Sequence, residues 1–503
     1  MQHASTICVG AVLKNTRSWA DLHSLHIVRA GEMPIFRQVY MQMRSAILAG
    51  TLRPGTKLPS TRDLAMQLTV SRSAMVSAYE QLLAEGYTSG RVGSGTYISS
   101  DIPEAARQRS ARAKRPAPIR RAAAPQTPFD ADLLDATRLN DDRPFNLGRT
   151  LLDARTVDVW RKLSLQSVRS ISRMHLGYSD PRGLPELRRS ICDYLQAARS
   201  VRCDPEQIVV TGGTQQSIDI VIRVLLGPGK QVWMENPGYP LTRQALLAAG
   251  VEVRPVRVDT HGLDVHAGIR AAPSARAVFV TPSHQFPTGV VLSMGRRLEL
   301  LEWAQQNDAW IVEDDYASEF RYSGRPLASL QGLDDTERVI YIGTLNKALF
   351  PGLRLGYVVV PHALLKAFVA ARYLMDRHSS TLDQAVVASF MAEGHFASHI
   401  RRIRLLYQGQ RDTLASALKK RLGDELKVAV PDQGMHLVAY TRKGLSDISL
   451  ERAAAQKGVI VKAMSRLYAE APVQSALMFG FSGYPRQTIA PAVARLALVL
   501  KQQ

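Results

Sequence analysis

The sequence predicts two folded units: a small, mostly helical unit near residues 29–100, and a large α/β unit from about residue 141 to the end. Three observations lead to this expectation. The chain has 503 residues, more than one ordinary domain needs. From about residue 101 to 140 it is rich in Ala, Arg and Pro with little apolar periodicity, which is typical of a linker. Beyond the linker, strand-like apolar runs alternate with helical patterns, which favours a mostly parallel sheet.

Charge and cysteine content limit the function classes. The formal net charge is +20, and residues 1–128 hold 17 Lys and Arg against 7 Asp and Glu. This concentration indicates either a polyanion partner, nucleic acid or an acidic membrane surface, or a solvated basic face. The three cysteines have no metal-ligand spacing, so neither a disulfide framework nor a metal site is expected.

No part of the sequence indicates a membrane protein or a secreted one. No apolar run reaches membrane-spanning length, and residues 1–28 lack the apolar core of a signal peptide. We therefore expect a cytoplasmic protein without membrane contact, and treat residues 1–28 as an N-terminal extension of unknown role.

The small unit reads as three helices followed by a hairpin. Pro34 can open a first helix that ends at Gly50, with Ile35, Val39, Met43 and Ile47 recurring every four residues. Ser60 is an N-cap candidate for a short second helix, and Ser71 for a third helix through about Glu85. Two strand-like pieces, Tyr87-Thr88 and Thr96-Tyr97-Ile98, then flank a Gly-rich tip. This order is that of a winged helix-turn-helix.

The polar residues of this unit fit double-stranded DNA. The third helix begins with Ser71-Arg72-Ser73, whose N-terminal end can enter the major groove, and the guanidinium fork of Arg72 is suited to guanine. Ser60, Thr61 and Arg62 at the start of the second helix are placed to hold backbone phosphates. Gly95 and Thr96 in the wing permit close approach to the backbone. The alternative is a three-helix bundle with solvated arginines.

The run from Gly55 to Ala65, followed by Ser71-Arg72 and by Tyr79-Glu80-Gln81-Leu82, resembles the GntR family of winged-helix regulators. That resemblance implies a DNA operator as the partner of this unit.

In the large unit, two turns after strand-like runs suit a phosphorylated, flat ligand. Ile208–Val210 leads into Gly213-Thr214 at a helix start, where free backbone N–H groups favour a phosphate. A run ending at Met234 leads into Tyr239, whose ring suits stacking on a heterocycle. Alone, the first motif is typical of an ordinary strand-helix turn, and Tyr239 of a core residue. Sheets of this kind place ligands at these strand ends.

Two further strand ends carry ionisable groups. Trp310–Val312 precedes the cluster Glu313-Asp314-Asp315-Tyr316, and a buried carboxylate there needs a partner such as a protonated ring nitrogen. Lys347 follows a fourth run, with Thr344 before it and Arg354 after it. A lysine flanked by hydroxyl and guanidinium groups suits covalent binding of a phosphorylated aldehyde.

Together these motifs resemble the fold type I aminotransferases, from about Leu176 to the C-terminus. The resemblance implies pyridoxal phosphate as the cofactor and a smaller C-terminal subdomain beside the mostly parallel sheet. It also implies the role of each residue: Lys347 bonds the cofactor, Asp314 pairs with the pyridine nitrogen, Tyr316 binds the ring hydroxyl, and Tyr239 stacks on the ring. The phosphate would be held by Gly213, Thr214, Thr344 and Arg354.

The complete layout is similar to that of the MocR/GabR regulators. This resemblance implies a head-to-tail homodimer in which the large domain senses pyridoxal phosphate or a small amino compound. Three positions depart from the pattern: Phe286 stands where plain aminotransferases have Asn, Asn346 precedes the lysine, and no arginine lies just before Met478. Arg243 and Arg466 are candidates to replace the missing arginine. A role for His284 or Gln285 at the ring is a further expectation.

Three functions stay open on the sequence. The first is a regulator whose large domain senses an amine or the cofactor. The second is an active aminotransferase that carries a DNA-binding domain, with only weak activity expected. The third is a regulator that has lost the cofactor and uses the large domain for assembly.

Overall fold

The computed structural model describes residues 25–29, 33–91, 94–100, 142–324 and 327–501. The chain divides into two units, Met1–Pro125 and Gln126–Gln503. The expected linker, Gly93 of the wing tip and nearly all of the expected extension 1–28 lie outside the described residues, so the domain boundaries stay predictions. Among the described helices, none is long and apolar enough to cross a membrane.

The small unit contains three helices and one antiparallel hairpin in its described part. The helices are Ile35–Leu48 (α1), Thr61–Gln67 (α2) and Arg72–Ala84 (α3), and the strands are Thr88–Arg91 (β1) and Gly95–Ile98 (β2). The strands are longer than the sequence suggested, and Tyr87 precedes β1 rather than belonging to it. The order predicted for a winged helix-turn-helix is confirmed.

Local sequence explains why α2 and α3 begin where they do. The Ser60 hydroxyl accepts a hydrogen bond from the Asp63 N–H, and the Ser71 hydroxyl accepts one from Ala74, so each serine satisfies a free donor of the first helical turn. Between the two helices Thr69 has φ +52°, which makes the turn tight. One apolar cluster holds the unit together. It includes the buried residues Val39, Met43, Ile47, Leu64, Met75, Ala78, Tyr79 and Leu82.

The large unit contains helices on both sides of a sheet and a C-terminal part with its own sheet. Its helices are Ala154–Arg169 (α4), Arg173–Leu176 (α5), Pro185–Arg199 (α6), Thr214–Leu225 (α7), Pro240–Ala248 (α8), Val265–Ala271 (α9), Met294–Gln306 (α10), Leu330–Leu333 (α11), Leu345–Ala348 (α12), His362–Asp376 (α13), Thr381–Ala392 (α14), His395–Leu422 (α15), Asp447–Gln456 (α16) and Ile489–Leu500 (α17). Its strands are Ile208–Thr211 (β3), Gln231–Asn236 (β4), Glu252–Asp259 (β5), Gly262–Leu263 (β6), Ala277–Val280 (β7), Trp310–Asp315 (β8), Val339–Thr344 (β9), Gly356–Val359 (β10), Leu426–Ala429 (β11), His436–Thr441 (β12), Lys462–Ala463 (β13) and Ala476–Gly480 (β14).

The larger sheet has the order β3-β10-β9-β8-β7-β4-β5-β6. The pairs joining β5, β4, β7, β8 and β9 are parallel, whereas β10 is antiparallel to both of its neighbours and β6 is antiparallel to β5. The central strands β7, β8 and β9 are almost entirely buried, as expected for a sheet covered on both faces. The predicted mostly parallel sheet is confirmed.

The C-terminal part forms a four-stranded antiparallel sheet of order β11-β12-β14-β13. This sheet is the smaller subdomain that the resemblance implied. Its strand β14 packs into the same apolar cluster as α15 and α17. The topology places the carboxyl ends of β4, β7, β8 and β9 at one edge of the larger sheet, where α/β proteins bind ligands.

Candidate cofactor site and DNA-binding face

Lys347 lies in the short helix α12, directly after β9. Its Nζ donates a hydrogen bond to the carbonyl of Gly148 at 3.3 Å. Burial lowers the pKa of the ammonium from its ordinary value, which favours the neutral, nucleophilic amine. Burial at the end of this strand therefore shifts Lys347 toward its neutral form.

Asp314 and Tyr316 lie at the end of the neighbouring strand β8. Asp314 pairs with Ile342 of β9 in the sheet register. The Asp314 Oδ1 and the Tyr316 hydroxyl are buried and have no hydrogen-bond partner among the described residues. Burial raises the pKa of Asp314 to about 7, with Asp315 and Glu235 adding to the effect. A buried acceptor and a buried hydroxyl without partners leave places for a cationic ring nitrogen and a ring oxygen.

Tyr239 lies just before α8, at the end of β4. Its ring meets Phe286 edge-on at 5.5 Å, and Phe286 meets Tyr316 at 6.2 Å. Burial raises the pKa of Tyr239 to about 12, with the Asp314 charge contributing, so the phenol stays neutral. Phe286 stands where plain aminotransferases have Asn, and it supplies an apolar edge to this group of rings.

Gln285 holds two loops of the site together. Its Nε2 donates to Glu235 at 3.2 Å, to the Pro237 carbonyl at 2.9 Å and to the Phe286 carbonyl at 2.6 Å. Its Oε1 accepts from the Thr288 N–H and hydroxyl. These partners lie at the end of β4, in the turn that follows it and in the loop after β7, so Gln285 supports the site from within. The buried His284 ring lies 6.0 Å from that of Tyr316.

A second group of residues surrounds the N-terminus of α7. Gly213 has φ +124°, and a Cβ built on it would lie 2.8 Å from the Asn346 Nδ2 and 3.8 Å from a guanidinium nitrogen of Arg354. Gly213 therefore brings the helix start close to two donor groups, an arrangement suited to an anion. Thr214 is the first residue of α7. Arg354 is exposed and has φ +52°.

Thr344, which is predicted to bind the phosphate, also caps the helix that carries Lys347. The Thr344 hydroxyl accepts a hydrogen bond from the Asn346 N–H at 3.2 Å and so caps α12. Asn346 in turn accepts from the Leu355 N–H through Oδ1 at 3.0 Å, which leaves Nδ2 facing Gly213. Asn346, which the sequence analysis noted only as a departure from the family pattern, thus lies in this second group around the N-terminus of α7.

The predicted DNA-binding residues lie at the starts of α2 and α3 and in the wing. Arg62, Arg72 and Ser73 are exposed at the first turns of α2 and α3, next to the two capping serines, and Thr61 is the first residue of α2. In the wing, Gly95 has φ +113°, and a Cβ there would lie 3.0 Å from the Lys57 side chain. Thr96 pairs with Gly90 across the hairpin.

Two features of the site were missed by sequence reasoning. Gly148 contacts Lys347 from 199 residues away, in a stretch without strand or helix signal. Arg199, the last residue of α6, forms a buried ion pair with Asp315. Of the two arginines considered as effector contacts, Arg466 is paired with Glu451 at 3.0 Å, and Arg243 is half-buried beside Tyr239 on α8.

Comparisons with known proteins agree with this geometry. Residues 144–496 match the family described as aminotransferase class I and II, and residues 36–98 match the bacterial regulatory proteins of the gntR family. A kynurenine aminotransferase of Pyrococcus horikoshii superposes with a TM-score of 0.68 at 27% identity, covering 74% of this chain and 95% of that one. The fold and site therefore define an aminotransferase-like domain joined to a helix-turn-helix domain.

Two curated regulators share the entire layout. The probable rhizopine catabolism regulatory protein MocR of Rhizobium meliloti is 39% identical over 93% of this chain and 94% of its own length. The pyridoxine biosynthesis regulator PdxR of Corynebacterium glutamicum is 30% identical over 92% and 94%. The chain belongs to the MocR-type family of transcriptional regulators, in which a GntR domain is fused to a class I and II aminotransferase domain.

Proposed function

We propose that this regulator binds pyridoxal phosphate in its large unit and that the state of this cofactor controls operator binding by its winged helix. The observation that carries the proposal is the buried, unpartnered pair of the Asp314 Oδ1 and the Tyr316 hydroxyl, among the described residues, at the same sheet edge as Lys347. Such a pair is costly unless a ligand completes it.

Each residue then has one task toward the cofactor. Lys347 bonds the aldehyde carbon, Asp314 accepts from the protonated pyridine nitrogen, and Tyr316 donates to the ring oxygen. Tyr239 covers the ring. When bound, the cofactor supplies an electrophilic carbon that exchanges Lys347 for another amine.

The cofactor's phosphate is bound by the second group of residues, those around the N-terminus of α7. The N–H groups of Gly213 and Thr214 at the start of α7, together with Arg354 and Asn346, are its ligands, and the Thr344 hydroxyl fixes the turn that carries Asn346. The Arg354 guanidinium and the start of α7 both favour the negative charge of a phosphate.

The DNA contacts follow from the small unit. Arg72 reads a base pair from the first turn of α3, with Ser71 and Ser73 beside it. Ser60, Thr61 and Arg62 hold phosphates, and Gly95 and Thr96 bring the wing to the backbone. We further propose a cytoplasmic, head-to-tail homodimer, because two winged helices would read two half-sites.

The effector is pyridoxal phosphate itself or a small amino compound that displaces Lys347. A regulator is favoured over an efficient aminotransferase by the extent of the two similarities. MocR matches 93% of this chain, whereas the kynurenine aminotransferase matches 74%.

The test is an absorbance spectrum of the purified full-length protein with added pyridoxal phosphate, before and after borohydride reduction. We expect an absorption band at a longer wavelength than the protein's own. After reduction, we expect the cofactor to be attached covalently to the peptide that contains Lys347. Lys347→Ala should lose the adduct, whereas Lys366→Ala, at an exposed lysine of α13, should keep it. An adduct that persists in Lys347→Ala would overturn the assignment.

A second measurement tests regulation. Duplexes selected by the full-length protein from a random library provide the DNA probe, and binding is measured at one fixed salt concentration. We expect the affinity to differ between cofactor-free and cofactor-loaded protein. Equal affinities with the cofactor and with added amines would leave the large unit without a sensing role.

A further inference from the structure

The anchor segment, residues 143–151, connects the candidate pocket to the part of the chain that leads to the small unit. It directly follows the expected linker, which ends at about residue 140. It also supplies the carbonyl, at Gly148, to which Lys347 Nζ donates at 3.3 Å. One short stretch therefore touches the reactive lysine and begins where the linker ends.

The contact between Gly148 and Lys347 is close. Gly148 has φ +69°, and a Cβ built on it would overlap the Lys347 Nζ. A side chain at this position is thus disfavoured twice, by backbone conformation and by the lysine. The lysine nitrogen reaches the carbonyl only because the residue is glycine.

The anchor segment is held in a seat formed by the end of β14 and the residues after it. The Gly480 N–H donates to the Phe145 carbonyl at 2.9 Å, and the Tyr484 hydroxyl donates to the Asn146 carbonyl at 3.0 Å. The Ser482 hydroxyl donates to the Arg149 carbonyl at 2.6 Å. The acceptors of these hydrogen bonds are backbone carbonyls of the segment. The bonds therefore fix the path of its backbone rather than the positions of its side chains.

Phe145 shows that this path is imposed by the seat. Its φ is +74°, in the left-handed region that bulky residues rarely adopt. The ring is buried and meets Phe479 at 5.7 Å. Such a backbone conformation persists only while surrounding contacts enforce it. The loss of one of these contacts would therefore favour a change in the backbone path of the segment.

We propose that the anchor segment reports the state of Lys347 to the linker, with Gly148 as the positioning residue for the freed lysine. This inference rests on the proposed function. While Lys347 is bonded to the cofactor, its Nζ is committed there. When an amine takes its place, the carbon–Nζ bond breaks, a bond from the same carbon to the amine forms, and two protons pass from the amine to Nζ. Exchange needs no oxidant or reductant, and the freed Nζ donates to the Gly148 carbonyl.

The experiment compares full-length protein loaded with pyridoxal phosphate, which bonds Lys347, and with pyridoxamine phosphate, which has no aldehyde and leaves Lys347 free. Hydrogen exchange is measured at Ile460 and Gly480, whose N–H groups donate to the carbonyls of Pro144 and Phe145. Because the hydrogen bond from the freed Lys347 to Gly148 is an additional restraint on the anchor segment, we expect exchange about threefold to tenfold slower in the pyridoxamine phosphate form. Affinity for a library-selected duplex should differ between the two forms.

Gly148→Ala blocks the lysine from its carbonyl and should remove both differences. The matched control is Gly458→Ala in the same subdomain, since Gly458 has φ +72° and a Cβ there meets nothing within 4 Å. This control carries the same backbone strain without the overlap, and both differences should persist in it. Ser482→Ala, which loosens the seat without touching the pocket, should keep the cofactor spectrum and reduce the effect of the exchange on DNA affinity.

The outcomes separate the two proposals. A protein without a cofactor band refutes the proposed function and this inference with it. A normal band in both forms, with equal exchange at Ile460 and Gly480, refutes only the anchor segment as reporter. An exchange difference that persists in Gly148→Ala does the same.

Discussion

Arg199 donates from Nε to the Asp315 Oδ2 at 2.8 Å, and both side chains are almost fully buried. The Tyr341 hydroxyl donates to the same oxygen at 2.6 Å, and Arg199 also donates to the Ser283 hydroxyl at 2.5 Å. This network fixes the end of β8 one residue beyond Asp314. The buried network joins α6, β8 and β9. It therefore holds the strand position next to Asp314, the carboxylate proposed to face the cofactor.

Arg199→Leu should strongly destabilise the large unit. Removing the guanidinium leaves Asp315 buried without its cation, a loss of about 3–5 kcal/mol in the free energy of unfolding. Denaturant unfolding followed by fluorescence measures this loss. Arg276→Leu is the control, because its pair with Asp308 is exposed and its loss should change stability far less. Equal losses in the two variants would contradict the importance of burial.

The contribution of Asp314 to the stability of the cofactor-free protein should fall as pH rises from about 4 to 7. Burial raises the pKa of Asp314 to about 7, so the folded state binds this proton more tightly than the unfolded state. Each such group contributes a negative slope of at most about 1.4 kcal/mol per pH unit over this window. Burial raises the pKa values of Glu235 and Glu313 to about 7 as well, which adds to this fall. Burial lowers the pKa values of His284, His399 and His436, which opposes it, so the contribution of Asp314 is read from the difference between the wild type and Asp314→Asn.

Urea unfolding at pH 5 and pH 7.5 tests this dependence. Asp314→Asn should remove one group's contribution to the slope of the free energy of unfolding against pH. Added cofactor should restore stability at pH 7.5 in the wild type only, because the ring nitrogen gives the Asp314 carboxylate a partner. Equal slopes in cofactor-free wild type and cofactor-free Asp314→Asn would refute the prediction.

Gly213→Ala should weaken binding of the cofactor phosphate. The substitution places a Cβ 2.8 Å from the Asn346 Nδ2 in a backbone region that alanine disfavours. We expect the dissociation constant for pyridoxal phosphate to rise by about tenfold or more, equivalent to one charge-assisted hydrogen bond. Gly229→Ala controls for strain, since Gly229 has φ +76° and open space around it. A titration followed by absorbance gives both constants.

Arg72→Ala should weaken binding to a selected duplex by about 1–3 kcal/mol while leaving the cofactor band unchanged. The expectation follows from the exposed place of Arg72 in the first turn of α3. Arg72→Lys separates the two kinds of contact. A lysine keeps the charge but loses the fork, so a base contact predicts a large loss and relaxed specificity, and a phosphate contact a small one. Unchanged binding in Arg72→Ala would remove the residue from the interface.

Sequence patterns predicted what depends on neighbouring residues. The caps at Ser60 and Ser71, the helix order and the buried strands of the large sheet are each encoded within short windows, and the structure agrees with them. Asp314, Tyr316 and Lys347 could be singled out because strand ends concentrate chemistry. Their roles toward a cofactor stay predictions.

Contacts between distant segments could not be predicted in this way. The pairing of Arg199 with Asp315 spans 116 residues, and neither residue carries a local signal for the other. The sequence predicted Thr344 only as an anion ligand, and the fold shows in addition that its hydroxyl accepts from the Asn346 N–H. The Gly148 carbonyl is a backbone group and leaves no trace in side-chain patterns.

The seat of the anchor segment also has a consequence for biosynthesis. The hydrogen bond from Tyr484 to Asn146 spans 338 residues, and that from Ser482 to Arg149 spans 333. Contacts of such sequence separation form late, because the intervening chain must be made and folded first. On the ribosome, the small unit is complete long before Gly148 can be held beside Lys347. A nascent chain would thus have a folded winged helix before it has a finished pocket, so any control by the large unit begins only after Tyr484 has been made.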